Sequence, residues 1–245
     1  MARPIITLLG LATLLAAHDA HAGRSHFAWL YGAEVNPERG VEVETWILEE
    51  NKKGDAKTDE TAFWWGPTLA LTPQLQLAIS MEAAYEDDRV GDAGVHFTRW
   101  GADVRYRLQS PDPVEAGPFA VLLRLGAKRL IEDRAGVRGE ADVVASYQTG
   151  RLLATIDLGA IAERVPDANE VELRPAAGAS VLVGDDVRLG AELYSELIVD
   201  GDATSWLVIG PTVSMTRGRF WGAATCGIGV FGIRTAPRVT FGLAL

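Results

Sequence analysis

The chain has 245 residues, 23 of them Lys or Arg against 33 Asp or Glu, for a formal net charge of −10 at pH 7. That balance excludes sequence-independent nucleic-acid binding, which depends on a Lys/Arg footprint, so no nucleic acid is expected among the partners. The single cysteine, Cys226, excludes an internal disulfide and reads as a small apolar strand residue.

The N-terminus reads as a separate unit. Arg3 precedes the 13-residue apolar run IITLLGLATLLAA, and Ala20-His21-Ala22 forms a small-residue cleavage site. Residues 1–22 are therefore expected to be a secretory signal peptide cut before Gly23. The run is shorter than the ~20 residues that a helix needs to cross a bilayer. No longer apolar run follows, so a membrane-resident chain would have to span with strands.

Apolar/polar alternation between turn residues predicts twelve strands, near 40–49, 60–71, 75–86, 96–108, 118–131, 137–148, 151–163, 171–183, 187–199, 205–216, 219–231 and 237–245. In LQLAISMEAAYE (75–86), Leu75, Leu77, Ile79, Met81 and Tyr85 share one face, while Gln76, Ser80 and Glu82 share the other. No Pro- or Ser-rich linker divides residues 23–245, which points to one domain.

Connections after even-numbered strands are short, as at Thr72-Pro73-Gln74, Thr149-Gly150 and Thr216-Arg217-Gly218, with SPDPVEAG (110–117) the exception. Those after odd-numbered strands, such as NKKGDAKTDE, DDRVGDAGV, VPDANEVE and VDGDATS, are expected to be longer polar loops, with Asp133-Arg134-Ala135-Gly136 the short one. Short turns on one rim and long loops on the other are the pattern of outer-membrane barrels. On the presumed outward faces, Phe63, Tyr85 and Trp100 fall toward the long-loop rim, and Tyr106, Phe119 and Tyr147 toward the short-turn rim.

Charge decides which face points outward. Alternation gathers Arg99, Arg105, Arg124, Glu140, Asp142, Asp157, Arg174 and Glu192 on the polar faces of their strands. A soluble twelve-stranded barrel would have to fill its interior with the aliphatic faces, although about eight strands already enclose all that side chains can fill. A two-sheet sandwich would be the soluble alternative. Pointing the charges inward and the aliphatics into lipid removes the difficulty. The expected fold is all-β, an antiparallel up-and-down transmembrane barrel of about twelve strands, with those eight residues lining its lumen.

The final segment RVTFGLAL places Val239, Phe241, Leu243 and Leu245 on one face, with the chain stopping on an apolar residue. With this ending and its strand series, the sequence resembles single-chain bacterial outer-membrane β-barrel proteins of about twelve strands. The resemblance implies residence in the outer membrane of a Gram-negative-type bacterium, contact with its lipid, and recognition of the last strand by the barrel-assembly machinery. The chain departs from the commonest form by ending in Leu in place of Phe.

Chemistry is harder to find. Beyond the signal, His26 and His96 are the two histidines, and neither forms a Ser–His dyad or a clustered metal set, so no catalytic or metal residues and no cofactors are expected. GIGVFG (227–232) has no following helix to hold a phosphate. What remains is a mixed-charge lumen, read as a passive pore or small-solute transporter for ions or small solutes. A sealed structural or surface-interaction barrel is the alternative. In an open pore, charge reversal at Arg124 would change ion preference without affecting insertion.

Overall fold

A computed structural model describes residues 25–35, 40–52, 60–86, 94–109, 118–166 and 168–245. The signal-peptide assignment for residues 1–22 lies outside the described residues. Twelve strands follow in order: β1 (Val41–Lys52), β2 (Glu60–Ala70), β3 (Leu75–Glu86), β4 (Gly94–Arg107), β5 (Phe119–Leu130), β6 (Val137–Thr149), β7 (Leu152–Val165), β8 (Ala168–Leu182), β9 (Val187–Asp200), β10 (Trp206–Arg217), β11 (Phe220–Phe231) and β12 (Ile233–Ala244). Each pairs antiparallel with its sequence neighbours, and β1 pairs with β12 from Glu42↔Ala244 to Lys52↔Ile233 to close the barrel. An even strand count brings the start of β1 and the end of β12 to one rim, termed here the terminus rim, opposite the far rim.

Period-two alternation sorts the side chains as an inverted barrel. Ile79, Leu125, Ile156, Leu158 and Val213 are exposed on the outer surface, while Glu42, Gln76, Asp103, Arg124 and Glu192 are buried inside. A shell of aliphatics around a charged interior suits lipid outside, because in water the same shell would leave its apolar area unburied. Phe119 and Tyr147, directly opposed on β5 and β6, pack at 4.9 Å near the terminus rim. Tyr85 and Tyr106 are also exposed outward, whereas Phe63 is half-buried. Trp100 lies at the middle of β4 and not toward the far rim as expected.

Two sequence expectations require correction. VPDANEVE is not a long loop: β7 and β8 run through it as a hairpin whose last pair is Val165↔Ala168. β12 begins at Ile233, and a single residue, Gly232 with φ 72°, connects it to β11. That left-handed backbone is cheap for glycine and costly for other residues. Short connections are therefore not confined to the terminus rim.

The early start of β12 also places Pro237 inside a strand. Its pairing with β11 is continuous at Cys226, whereas pairing with β1 passes from Leu48↔Arg238 to Asn51↔Thr235. Pro67, Pro175 and Pro211 repeat the arrangement, each continuous on one side and interrupted on the other. A proline lacks one ladder donor and can be accommodated where the neighbouring strand does not demand it.

The barrel interior also holds a piece of chain outside the wall. Residues 25–35 form no regular element, yet Phe27, Ala28, Trp29, Leu30 and Ala33 are each no more than 4% exposed. Phe27, Trp29 and Leu30 pack with inward residues of β1, β7–β10 and β12, including Leu48, Leu153, Tyr194, Trp206 and Ile233. Ala33 joins Leu122 and Val144 on β5 and β6.

Candidate functional site: a charged lumen and the segment within it

All eight residues singled out from sequence lie on the inward face, but they fall into two groups with different partners. The first is a continuous ion-pair network on one side of the wall. Arg124 donates to Asp103 (3.1 Å), Asp142 (2.7 Å) and Glu140 (2.5 Å) and is only 1% exposed. Arg105 makes a two-pronged contact with Glu44, both prongs at 2.9 Å, and a third bond to Asp103 at 2.9 Å. Arg99 bridges Glu82 and Glu163 (3.3 and 3.2 Å). Arg174 stands beside Asp142, 3.7 Å away.

Among the described residues, seven further members of the network lie outside those eight: Glu44, Glu82, Asp103, Lys128, Arg138, Glu163 and Glu172. Lys128 reaches Glu82 and Glu140 (2.5 and 2.7 Å), and Arg138 contacts Glu140, Glu163 and Glu172 at 3.0–3.4 Å. Alternation alone gives the face of each side chain, whereas a shared partner such as Glu140 depends on the register between β5 and β6.

The second group holds the inner segment. Glu192 accepts hydrogen bonds from the backbone N–H groups of Ala28 (3.0 Å) and Trp29 (2.9 Å), and from the Thr225 hydroxyl. Asp157 accepts one from the Tyr31 N–H (3.2 Å). An irregular backbone inside a barrel needs such partners for its donors. Aromatic contacts add to them: Trp29 stacks on Tyr194 at 4.3 Å and meets Trp206 edge-on at 5.6 Å. The Tyr31 ring lies under the Arg124 and Arg105 guanidiniums, at 4.6 and 5.4 Å. Arg238 lies over Trp46 (4.5 Å) and Trp29 (4.9 Å). Sequence reasoning missed this segment; its signal is the unbroken apolar run Phe27-Ala28-Trp29-Leu30-Tyr31, which lacks the polar face of the wall strands.

Trp29 and Tyr31 border two cavities. One, of about 520 Å³, extends toward the far rim, where Glu50, Glu60, Glu170 and Asp202 line it. The other, of about 60 Å³, lies on the terminus side among Ser25, Leu30, Glu34, Glu42 and Trp221. The segment thus stands between a roomy vestibule and a small pocket. Among the described residues, no group of three or more His, Cys, Asp or Glu side chains is placed to hold a metal ion.

These contacts change the role of Arg124. It faces three carboxylates and the Tyr31 ring, with almost no surface on an aqueous path, so charge reversal there should disrupt folding instead of tuning ion preference. Removing one partner of a buried ion-pair network leaves uncompensated charge, at a cost of about 3–5 kcal/mol. Arg124→Leu is expected to lose stability on that scale in urea unfolding of the detergent-refolded barrel. A loss below about 1 kcal/mol would show that the pairs are solvated and weak.

No family model and no curated relative matches the chain. Similar solved structures include an outer membrane channel from Pseudomonas putida F1, 11% identical over 88% of this chain and 99% of that one, with a TM-score of 0.60. The KdgM porin in complex with disordered oligogalacturonate is 9% identical over 83% and 99%, with a TM-score of 0.54. The translocator domain of the autotransporter NalP from Neisseria meningitidis is 15% identical over 97% and 95%, with a TM-score of 0.52. These likenesses and the closed ring of twelve antiparallel strands give the chain the fold of bacterial outer-membrane barrels.

Proposed function

We propose that the chain is an outer-membrane barrel that passes small solutes, and that residues 25–35 close its lumen at rest. One observation carries this reading: a segment that is not part of the wall packs inside the lumen and stands between two cavities. A barrel sealed for purely structural reasons could be filled by its own wall side chains, as smaller barrels are. Here the closing element is a separate stretch of chain, held by three backbone hydrogen bonds to carboxylates and by ring contacts. The names of two similar structures, a channel and a porin, support the same reading.

The terminus rim faces the periplasm and the far rim the exterior, with residues 1–22 acting as the export signal and the last strand read by the assembly machinery. Arg99, Arg174 and Glu140 border the vestibule, while Asp157 and Glu192 anchor the segment. No enzymatic step is assigned.

The test is osmotic swelling of liposomes containing the refolded chain from residue 23, with small neutral and charged solutes. Slow swelling by the intact chain and faster swelling by a Phe27→Ala/Trp29→Ala variant is the expected result. If both forms insert and neither admits any solute, the sealed structural barrel is the correct reading.

A further inference from the structure

We propose that the vestibule is a binding site for a small zwitterion, a solute of amino-acid or short-peptide size carrying both a carboxylate and an ammonium group. Arg174 and Arg238 receive its carboxylate. The proposal rests on the reading of the barrel as a solute passage and names the class of solute.

Five cationic side chains border the vestibule, and they are not equivalent. Arg99, Lys128 and Arg138 each hydrogen-bond to wall carboxylates. Arg174 does not: its Nε and Nη2 have no hydrogen-bond acceptor, and the Asp142 oxygen 3.7 Å from Nη2 is beyond hydrogen-bond reach. The Nε of Arg238 likewise has no acceptor, and that guanidinium rests on the rings of Trp46 and Trp29. Buried donors without acceptors are costly and call for a missing partner. A guanidinium is a fixed fork of donors that matches a carboxylate. Arg174 on β8 and Arg238 on β12 thus bring spare donors to one cavity from two walls.

A carboxylate alone does not answer the rest of the lining. Ten Asp and Glu side chains border the vestibule against the five cations, so a purely anionic solute meets net repulsion. A purely cationic solute would leave the two guanidiniums unsatisfied. A zwitterion answers both requirements, with its ammonium group directed to the acidic part of the wall. Glu196 on β9 is placed for this: it takes one hydrogen bond from the Tyr194 hydroxyl (3.0 Å), and an ionised carboxylate has further acceptor capacity. The volume of about 520 Å³ falls within the range of small-molecule sites. Because Arg238 also lies over Trp29, a bound carboxylate competes with the inner segment for the same guanidinium.

The experiment is a tryptophan-fluorescence titration of the refolded chain from residue 23 with phenylalanine, the dipeptide Gly-Phe, 3-phenylpropionate and 2-phenylethylamine. The probes share an aromatic body and differ in charge. At least one zwitterion is expected to bind saturably, with the anion and the amine each about tenfold weaker or more. Arg174→Gln should reduce zwitterion affinity by about tenfold and leave the amine unchanged, while Arg174→Lys, which keeps the charge but not the fork, falls between. Refolding of each variant is checked by heat-modifiable migration on a gel. Binding of the amine as tight as that of the zwitterions, indifference to Arg174→Gln, or no saturable response to either zwitterion would overturn the site. Liposome swelling with the Phe27→Ala/Trp29→Ala variant separates the two readings. Solute entry by that variant without zwitterion binding by the intact chain removes the site and leaves the passage; binding without solute entry by the variant does the reverse.

Discussion

A chain lacking residues 25–35, refolded and inserted into planar bilayers, is expected to show single-channel conductance about an order of magnitude above that of the intact chain. The segment stands between the 520 Å³ vestibule and the 60 Å³ pocket on the terminus side, and both are lined by Trp29 and Tyr31. Its removal frees Glu192 and Asp157 to face water and joins the two spaces into a path lined by charge. Deletion could also disturb assembly, so a substitution in the wall provides a second route to the same end. Gly178, on the inward face of β8, leaves room for the Phe27 ring, and a Cβ there would stand 2.6 Å from Phe27 Cε1. Gly178→Leu should therefore dislodge the segment without changing its sequence and raise conductance in the same direction. Unchanged current in both variants, with normal insertion, would mean that something other than this segment closes the lumen.

Leu125→Arg is expected to prevent stable insertion. Leu125 is 67% exposed on the outer surface of β5, beside the inward Arg124 and well inside the strand. An arginine on the lipid face near the bilayer midplane costs about 2–4 kcal/mol. The yield of heat-resistant folded band after refolding with vesicles measures the effect, with Leu125→Ala as the control that removes bulk without adding charge. A normal yield for Leu125→Arg would show that this face does not meet lipid. The contrast with Arg124, one residue away, makes the point about alternation: the same side chain braces the interior at one position and is excluded at the next.

Alternation is also why the strands were legible. A strand such as β6, Val137–Thr149, buries Glu140, Asp142, Val144 and Ser146 on one side and exposes Val137 and Val143 on the other, a pattern local to the segment. Errors arose where polarity and structure part company. VPDANEVE is polar, yet it continues β7 and β8 to their Val165↔Ala168 turn, and polar strand residues are expected where a hairpin stands clear of lipid. Pro237 suggested a strand start, but the missing donor is absorbed where pairing with β1 is interrupted.

The site was legible only as a set of faces. Arg105 and Arg174 both point inward, but nothing local distinguishes the one clamped by Glu44 and Asp103 from the one with donors to spare. That difference depends on which strands stand opposite across the lumen. The inner segment was hidden for a related reason. Its contacts with Glu192 and Asp157 span more than a hundred residues, and its own unbroken apolar run has no polar face to announce them.

Amide hydrogen exchange of residues 25–35 in the refolded barrel tests the central claim most directly. If the segment is seated in the lumen, the Ala28, Trp29 and Tyr31 amides, bonded to Glu192 and Asp157, should exchange slower than free peptide by about two orders of magnitude or more. Exchange at the free-peptide rate, in a barrel whose strands are protected, would place the segment outside and contradict the account of a lumen closed by its own chain.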